Sequence, residues 1–425
     1  MTLHRATLFA TALLSVFAAT HPALAQEDAP FTAAQIEAAQ YGGGDLPRGR
    51  TALTAKVQIL LDRSGTSPGV IDGFKGGMSQ SAIKAFERRT GLPMDGVMDP
   101  HVWNLLQAFS TRPVTQSCVI TDADAEGLVD AIPTDYAEKA AMPAMAHTSI
   151  AERLGERFHM DEKFIQFLNP GVPLQPGSTI QVMAPNAPIR GQVSRIIIDK
   201  ANRRVAGYDS KGRMVVDYPA TIGSTATPSP AGTHNVKTVA VNPNYTYNPD
   251  VNFRQEGNDK PLIVPPGPNG PVGTVWIGLT KPTYGIHGTP TPSQLFSNQS
   301  SGCVRLTNWD AEELAGMVRI GGTSVEFLNP GVTISDVTGA TSAVAPPVAD
   351  IAMPDGTAEP DLPQPQEPLA LPDATETPAQ PAETPQPTET PQPTAPAAND
   401  DPLTDALDEA LPQGFVVPPL SEPQQ

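Results

Sequence analysis

Two short segments of this chain hold side chains able to do nucleophilic chemistry. One is Tyr284-Gly285-Ile286-His287-Gly288-Thr289. The other begins eleven residues after Thr289 and reads Ser300-Ser301-Gly302-Cys303-Val304-Arg305-Leu306. A free thiol is only slightly ionised near neutral pH, and a neighbouring imidazole raises its reactive fraction by taking the proton. Gly288 and Gly302 let backbone approach closely, and the N–H groups of Gly302 and Cys303 can face an oxyanion. The chemistry these residue types suit is acyl transfer through a thioester. Two other readings compete from the residues alone. Cysteine is often a buried structural residue. A zinc site would have to use His234, His287 and Cys303, which include no close ligand pair. No metal and no cofactor is expected.

The elements that must position this pair read as β-structure. Arg195-Ile196-Ile197-Ile198-Asp199, Arg203 to Asp209, Met214 to Tyr218, Val236 to Val241 and Thr274 to Gly278 all read as strands. Between Val241 and Thr274 lie about thirty irregular residues, a length more typical of binding loops or lids than of plain connections. Thr307-Asn308-Trp309-Asp310 reads as the cap of a helix running through Val318 and stopped by Gly321-Gly322.

Two smaller units precede it. Residues 51–109 read as three helices: one carrying Val57, Leu60 and Leu61, one carrying Ala82, Ile83 and Phe86 with Ser79 as cap and Gly91 as stop, and one marked by Trp103 and Leu106. Asp72-Gly73 and Asp95-Gly96 lie between them as tight turns. Residues 147–185 read as two helices, one with Ile150, Leu154 and Phe158 and one with Phe164, Phe167 and Leu168, followed by a strand over Thr179–Met183. Residues 26–50 and 110–146 read as linkers, the second containing Cys118.

The chain ends bear on compartment and charge. Arg5 is the one charged residue in the first 25; an apolar run from Ala6 to Ala19 and Ala23-Leu24-Ala25 follow, the pattern of a cleaved signal peptide over 1–25. We therefore expect an exported protein of the periplasm or cell envelope with no transmembrane segment after cleavage. The net charge of −18 is concentrated in the tail: after Thr341 there are fifteen Asp or Glu and no Lys or Arg. Residues 329–425 read as a disordered, Pro/Glu/Thr-rich tail, with Glu383-Thr384-Pro385-Gln386-Pro387-Thr388 repeated at once. No basic patch with interleaved aromatics suggests nucleic acid. Two cysteines in an exported chain suggest a disulfide, but 425 residues bury ample core without one, and Cys118–Cys303 pairing is not expected.

Taken with their surroundings, these motifs resemble a known family. His287-Gly288-Thr289 with Ser300-Ser301-Gly302-Cys303-Val304-Arg305 resembles the signature of the L,D-transpeptidase (YkuD-type) catalytic domain. Ser229-Pro230-Ala231-Gly232 and Gly267 to Trp276 resemble its earlier turn and its segment before the histidine strand. The resemblance covers roughly 193–328. The 51–109 unit resembles a three-helix peptidoglycan-binding domain, and 147–185 resembles a LysM module. The implied fold is multidomain: a small all-α N-terminal domain, a small α+β module, a mainly-β catalytic domain and the tail.

The resemblance also implies roles and partners. Cys303 is the nucleophile and His287 the base, acting alone because Ser301 stands where some relatives keep a second histidine. Gly302 and Cys303 supply the oxyanion contacts. Arg305 orients the site, meets a substrate carboxylate, or forms a structural ion pair. Tyr284, Trp276 and Ser301 line the substrate cleft. The implied partners are peptidoglycan stem peptides and glycan, with another stem or an envelope protein as acyl acceptor. An L,D-carboxypeptidase or amidase is the alternative, and a non-catalytic wall-binding scaffold is the alternative of another class.

Overall fold

A computed structural model describes residues 30–339, apart from 225, 226, 252 and 299. The expected signal peptide and nearly all of the acidic tail lie outside the described residues. The N-terminal half opens with α1 (Ala33–Ala38), α2 (Ala52–Ser64), α3 (Gly77–Thr90) and α4 (Pro100–Leu106). Thr51 and Asp99 cap α2 and α4 through their side chains. Gly91 ends α3 in the left-handed region, as its position suggests. Ser79 is not the cap of α3. The helix starts earlier, after Gly76, and Ser79 lies inside it with its hydroxyl on the Phe74 carbonyl and under the Gln58 amide. Asp72 and Asp95 make their turns by accepting the N–H two residues on, from Phe74 and Val97.

Neither expected linker is a bare connection. Residues 26–50 contain α1, whose Ile36 is fully buried. Residues 110–146 contain β1 (Thr115–Val119), α5 (Asp122–Ala125) and α6 (Tyr136–Ala141). The chain continues through α7 (Ile150–Phe158), α8 (Glu162–Leu168) and β2 (Thr179–Met183), and β2 pairs antiparallel with β1. Cys118 therefore sits in a strand and packs on the core. The two N-terminal units share one hydrophobic core. Leu60, Ile83 and Leu106 from the helical unit are buried in the same cluster as Leu154, Phe164 and Val182. Each unit is too small to bury its apolar faces well, and joining them improves the surface-to-volume ratio.

The C-terminal half contains β3 (Arg195–Asp199), β4 (Arg204–Tyr208), β5 (Met214–Pro219), β6 (Gly232–Val241), β7 (Tyr245–Tyr247), β8 (Leu262–Val264), β9 (Val275–Leu279), β10 (Gly285–His287), β11 (Val304–Arg305), α9 (Asn308–Ala315), β12 (Ser324–Phe327) and α10 (Ile334–Thr338). Eight strands form one sheet in the order β11-β10-β9-β6-β12-β3-β4-β5, while β7 and β8 form a separate hairpin. The unbroken Ile196-Ile197-Ile198 run follows from burial on both faces. Ile196 and Ile198 enter the main core with Leu314 of α9, and Ile197 packs on the other face with Ile334 of α10. The ordered chain thus runs past 328, because α10 covers a sheet face. Helix α9 stops at Ala315, earlier than expected. Among the described residues no helix is long and apolar enough to cross a membrane.

The halves are joined by buried polar contacts. Asp217 of β5 accepts from Arg204 at 2.5 Å and also pairs with Arg88 of α3; all three side chains are buried. Ser67 donates to Asp310 at 3.0 Å, and His159 stacks on Trp309 with ring centroids 5.1 Å apart.

Candidate active site

Adjacent strands bring the two motifs together. β10 pairs antiparallel with β9 and parallel with β11, so His287 lies opposite Trp276 on one side and Arg305 on the other. Cys303 is the residue just before β11. Backbone bonds between Arg305 and Thr221, and from Leu306 N–H to the His287 carbonyl at 2.8 Å, hold this edge in register.

The turn before Cys303 needs glycine. Gly302 has φ +113°, and a Cβ there would lie 2.7 Å from the Tyr284 ring. Its N–H donates to Ser300 Oγ at 3.1 Å, and Ser300 Oγ in turn donates to the Cys303 carbonyl. The Gly302 amide is therefore engaged within the turn, contrary to the expectation that it faces an oxyanion. Ser300 is the residue the sequence reading missed; its place three residues before Cys303 was the available signal.

His287 is buried and stacks on Trp276, centroids 5.5 Å apart. Its Nδ1–H donates to the Gly288 carbonyl at 2.7 Å, which fixes the tautomer and leaves Nε2 as the basic nitrogen. Burial, helped by the Arg305 charge, pushes its pKa down to about 3. Burial pushes the Cys303 thiol up, opposed by a backbone hydrogen bond at Gly285 and by Arg305. Burial thus disfavours the charged form of both groups. The thiol donates to the Thr283 carbonyl at 3.6 Å, and no described hydrogen bond joins it to His287. Catalytic hydrogen bonds often close only when substrate arrives.

Cys303, His287 and Arg305 open onto one cavity of about 420 Å³. Trp276, Tyr284 and Ser301 also line it, so the structure gathers all of the expected cleft residues except Gly302, which lies behind the wall. Its rim includes Tyr245, Phe253 and two residues of α6, Tyr136 and Lys139. Among the described residues, no Asp or Glu lines it. Arg305 makes no ion pair among the described residues, and its buried Nε has no hydrogen-bond partner there. A larger cavity, about 680 Å³, lies between α3 and the β3–β4 turn, and no cysteine or histidine lines it among the described residues.

Residues 194–327 match the family model of the L,D-transpeptidase catalytic domain, YkuD, and residues 50–106 match that of a putative peptidoglycan binding domain. The chain carries an L,D-transpeptidase catalytic domain. It is 35% identical over 124 residues to the putative L,D-transpeptidase YkuD of Bacillus licheniformis, covering 29% of this chain and 59% of that protein. It is 29% identical over 196 residues to the probable L,D-transpeptidase YbiS of Escherichia coli K12, covering 44% and 62%. The chain spans about three fifths of the length of these curated relatives. Within the transpeptidase domain, Cys303 and His287 are the nucleophile and base candidates that share the acid-free cavity.

Proposed function

We propose that this chain is a cell-envelope L,D-transpeptidase working through a thioester on Cys303. The observation carrying this reading is the single cavity onto which a cysteine, a tautomer-fixed histidine and an arginine open, with neither an ion pair to that arginine nor an acidic residue in the walls among the described residues. The donor is a peptidoglycan tetrapeptide stem. Cys303 Sγ bonds to the carbonyl carbon at the L-centre of the third residue, a diamino acid, while His287 Nε2 takes the thiol proton. The C–N bond to the terminal D-alanine breaks, and the imidazolium returns the proton to the leaving amine. A side-chain amine of a second stem then attacks the thioester. Its proton passes to His287, and the thiolate leaves, giving a 3–3 crosslink.

Because Ser300 engages Gly302, the Cys303 amide is the backbone donor assigned to the oxyanion. Arg305 meets a donor carboxylate. The β1–α7–α8–β2 arrangement supports reading 147–185 as a LysM-like glycan contact, completed by a strand from upstream. An envelope protein is an alternative acceptor amine.

Incubation with purified tetrapeptide muropeptides, followed by mass analysis, tests the reading. Crosslinked dimers with loss of D-alanine support it. Tripeptides alone mean that water resolves the thioester, making the protein an L,D-carboxypeptidase. Unaltered tetrapeptides overturn both.

A further inference from the structure

The wall of the catalytic cavity includes a piece of chain from outside the matched domains. Helix α6 lies between residues 106 and 194, the edges of the two family matches. It is fastened onto the long insertion between β6 and β9. The Tyr136 amide donates to Gln255 Oε1 at 2.8 Å, Gln255 Nε2 donates to the Thr134 carbonyl at 3.2 Å, and Asn258 donates to Asp135 at 2.8 Å. The Tyr136 ring packs against Tyr247 and Phe253, with centroids 4.7 and 5.3 Å away.

This fastening puts Lys139 in the cavity wall. Its ammonium lies 4.5 Å from the Tyr136 ring centroid and forms no ion pair among the described residues. Glu138, next to it in sequence, is exposed to solvent, and Asp135 is occupied in capping α6 and in accepting from Asn258. Arg305 is the second cation on the same cavity and is likewise without an acidic partner. Two partly desolvated cations around an acid-free cavity suit a ligand with two separate carboxylates, since a buried charge needs a counter-charge.

We propose that Lys139 is a specificity-determining residue, reaching from outside the catalytic domain to the side-chain carboxylate of the donor stem's third residue. Arg305, two residues from Cys303, takes the carboxylate next to the scissile bond, on the terminal residue. Lys139, on α6 and lining the same cavity, takes the one at the end of the diamino diacid side chain. The inference rests on the transpeptidase reading and adds to it a preference for donors whose third residue carries a free side-chain carboxylate over the same residue amidated.

The test compares kcat/KM for D-alanine release by the full-length protein from two synthetic tetrapeptide stems, one with a free diaminopimelyl carboxylate and one with that carboxylate amidated. Wild type is expected to favour the free acid by roughly tenfold or more, the scale of a charge-assisted contact. K139M is expected to bring the ratio close to one, and K139R to keep most of it; K139Q serves in place of K139M if that variant does not fold. A wild-type ratio near one, or an unchanged ratio in K139M or K139Q, overturns the proposal while leaving the transpeptidase reading intact. Failure of wild type to release D-alanine from either stem overturns both.

Discussion

Burial disfavours the charged forms of Cys303 and His287, and Arg305 acts on the two groups in opposite senses. The cation favours the thiolate and disfavours the imidazolium. A resting thiolate–imidazolium pair is therefore disfavoured. Alkylation of Cys303 by iodoacetamide should rise steadily with pH, without a plateau between pH 5 and 8, and with its midpoint above the usual thiol value; a plateau in that window would contradict this account. Arg305→Gln should move the midpoint higher still, because the thiolate loses its nearby positive charge. On the proposed function, Cys303→Ala should abolish release of D-alanine while sedimentation with purified peptidoglycan persists, since Cys303 lies far in sequence from the residues that match a putative peptidoglycan binding domain. Unchanged turnover in that variant would sink the thioester mechanism. This pair was legible in the sequence because its residue types are rare and their glycine neighbours specific. The engagement of Gly302 by Ser300 was not, because it depends on the φ of +113° that only the folded turn reveals.

At the scale of elements, local signals were legible and distant ones were not. Helices α2, α7 and α8 and strands β3 and β9 announce themselves by apolar spacing, and Asp72-Gly73 by turn chemistry. Strand β1 carries no comparable signal: its partner β2 lies some sixty residues on, and only Thr115 of its five residues is buried. Helix α6 has no buried residue at all, so nothing in its own pattern shows that it walls the cavity. Within the three-helix unit, Glu87 of α3 is almost wholly buried, and burial raises its pKa to about 8 while it accepts from the Gly96 amide at 2.8 Å. Its folded value exceeds the unfolded one, so its stability contribution is intact below about pH 4 and declines as pH rises toward 8. Glu87→Gln keeps an acceptor for Gly96 and removes the ionisation. It should stabilise the protein by a few kcal/mol, on the order of the linked shift, at pH 7 and by nothing near pH 4. Urea unfolding at the two pH values checks this, and an equal gain at both would refute the burial argument.

Across the whole molecule, the expectation of separate modules on flexible connections gives way to two halves pinned by Asp217, Arg204 and Arg88. Asp217→Asn removes the carboxylate that pairs with two buried guanidinium groups and should cost about 3–5 kcal/mol, the range for breaking a buried pair. Denaturant midpoints measure it, and Arg88→Met in the same background should recover part of the loss because one stranded cation is removed. A midpoint for Asp217→Asn equal to wild type would show that the joint contributes nothing.

The seam that joins the half matching a peptidoglycan binding domain to the half matching the transpeptidase domain would, on the proposed function, also fix how far the thiol stands from the strand that is gripped. A loose leash would let the nucleophile sweep a broad volume and reach many stems weakly. A stiff arm concentrates that reach at one radius and one bearing, raising local encounter there and forfeiting it elsewhere. On the proposed function, a protein held this way would work as a caliper, with the spacing of its crosslinks set by the packing of Trp309 on His159 and of Arg88 on Asp217.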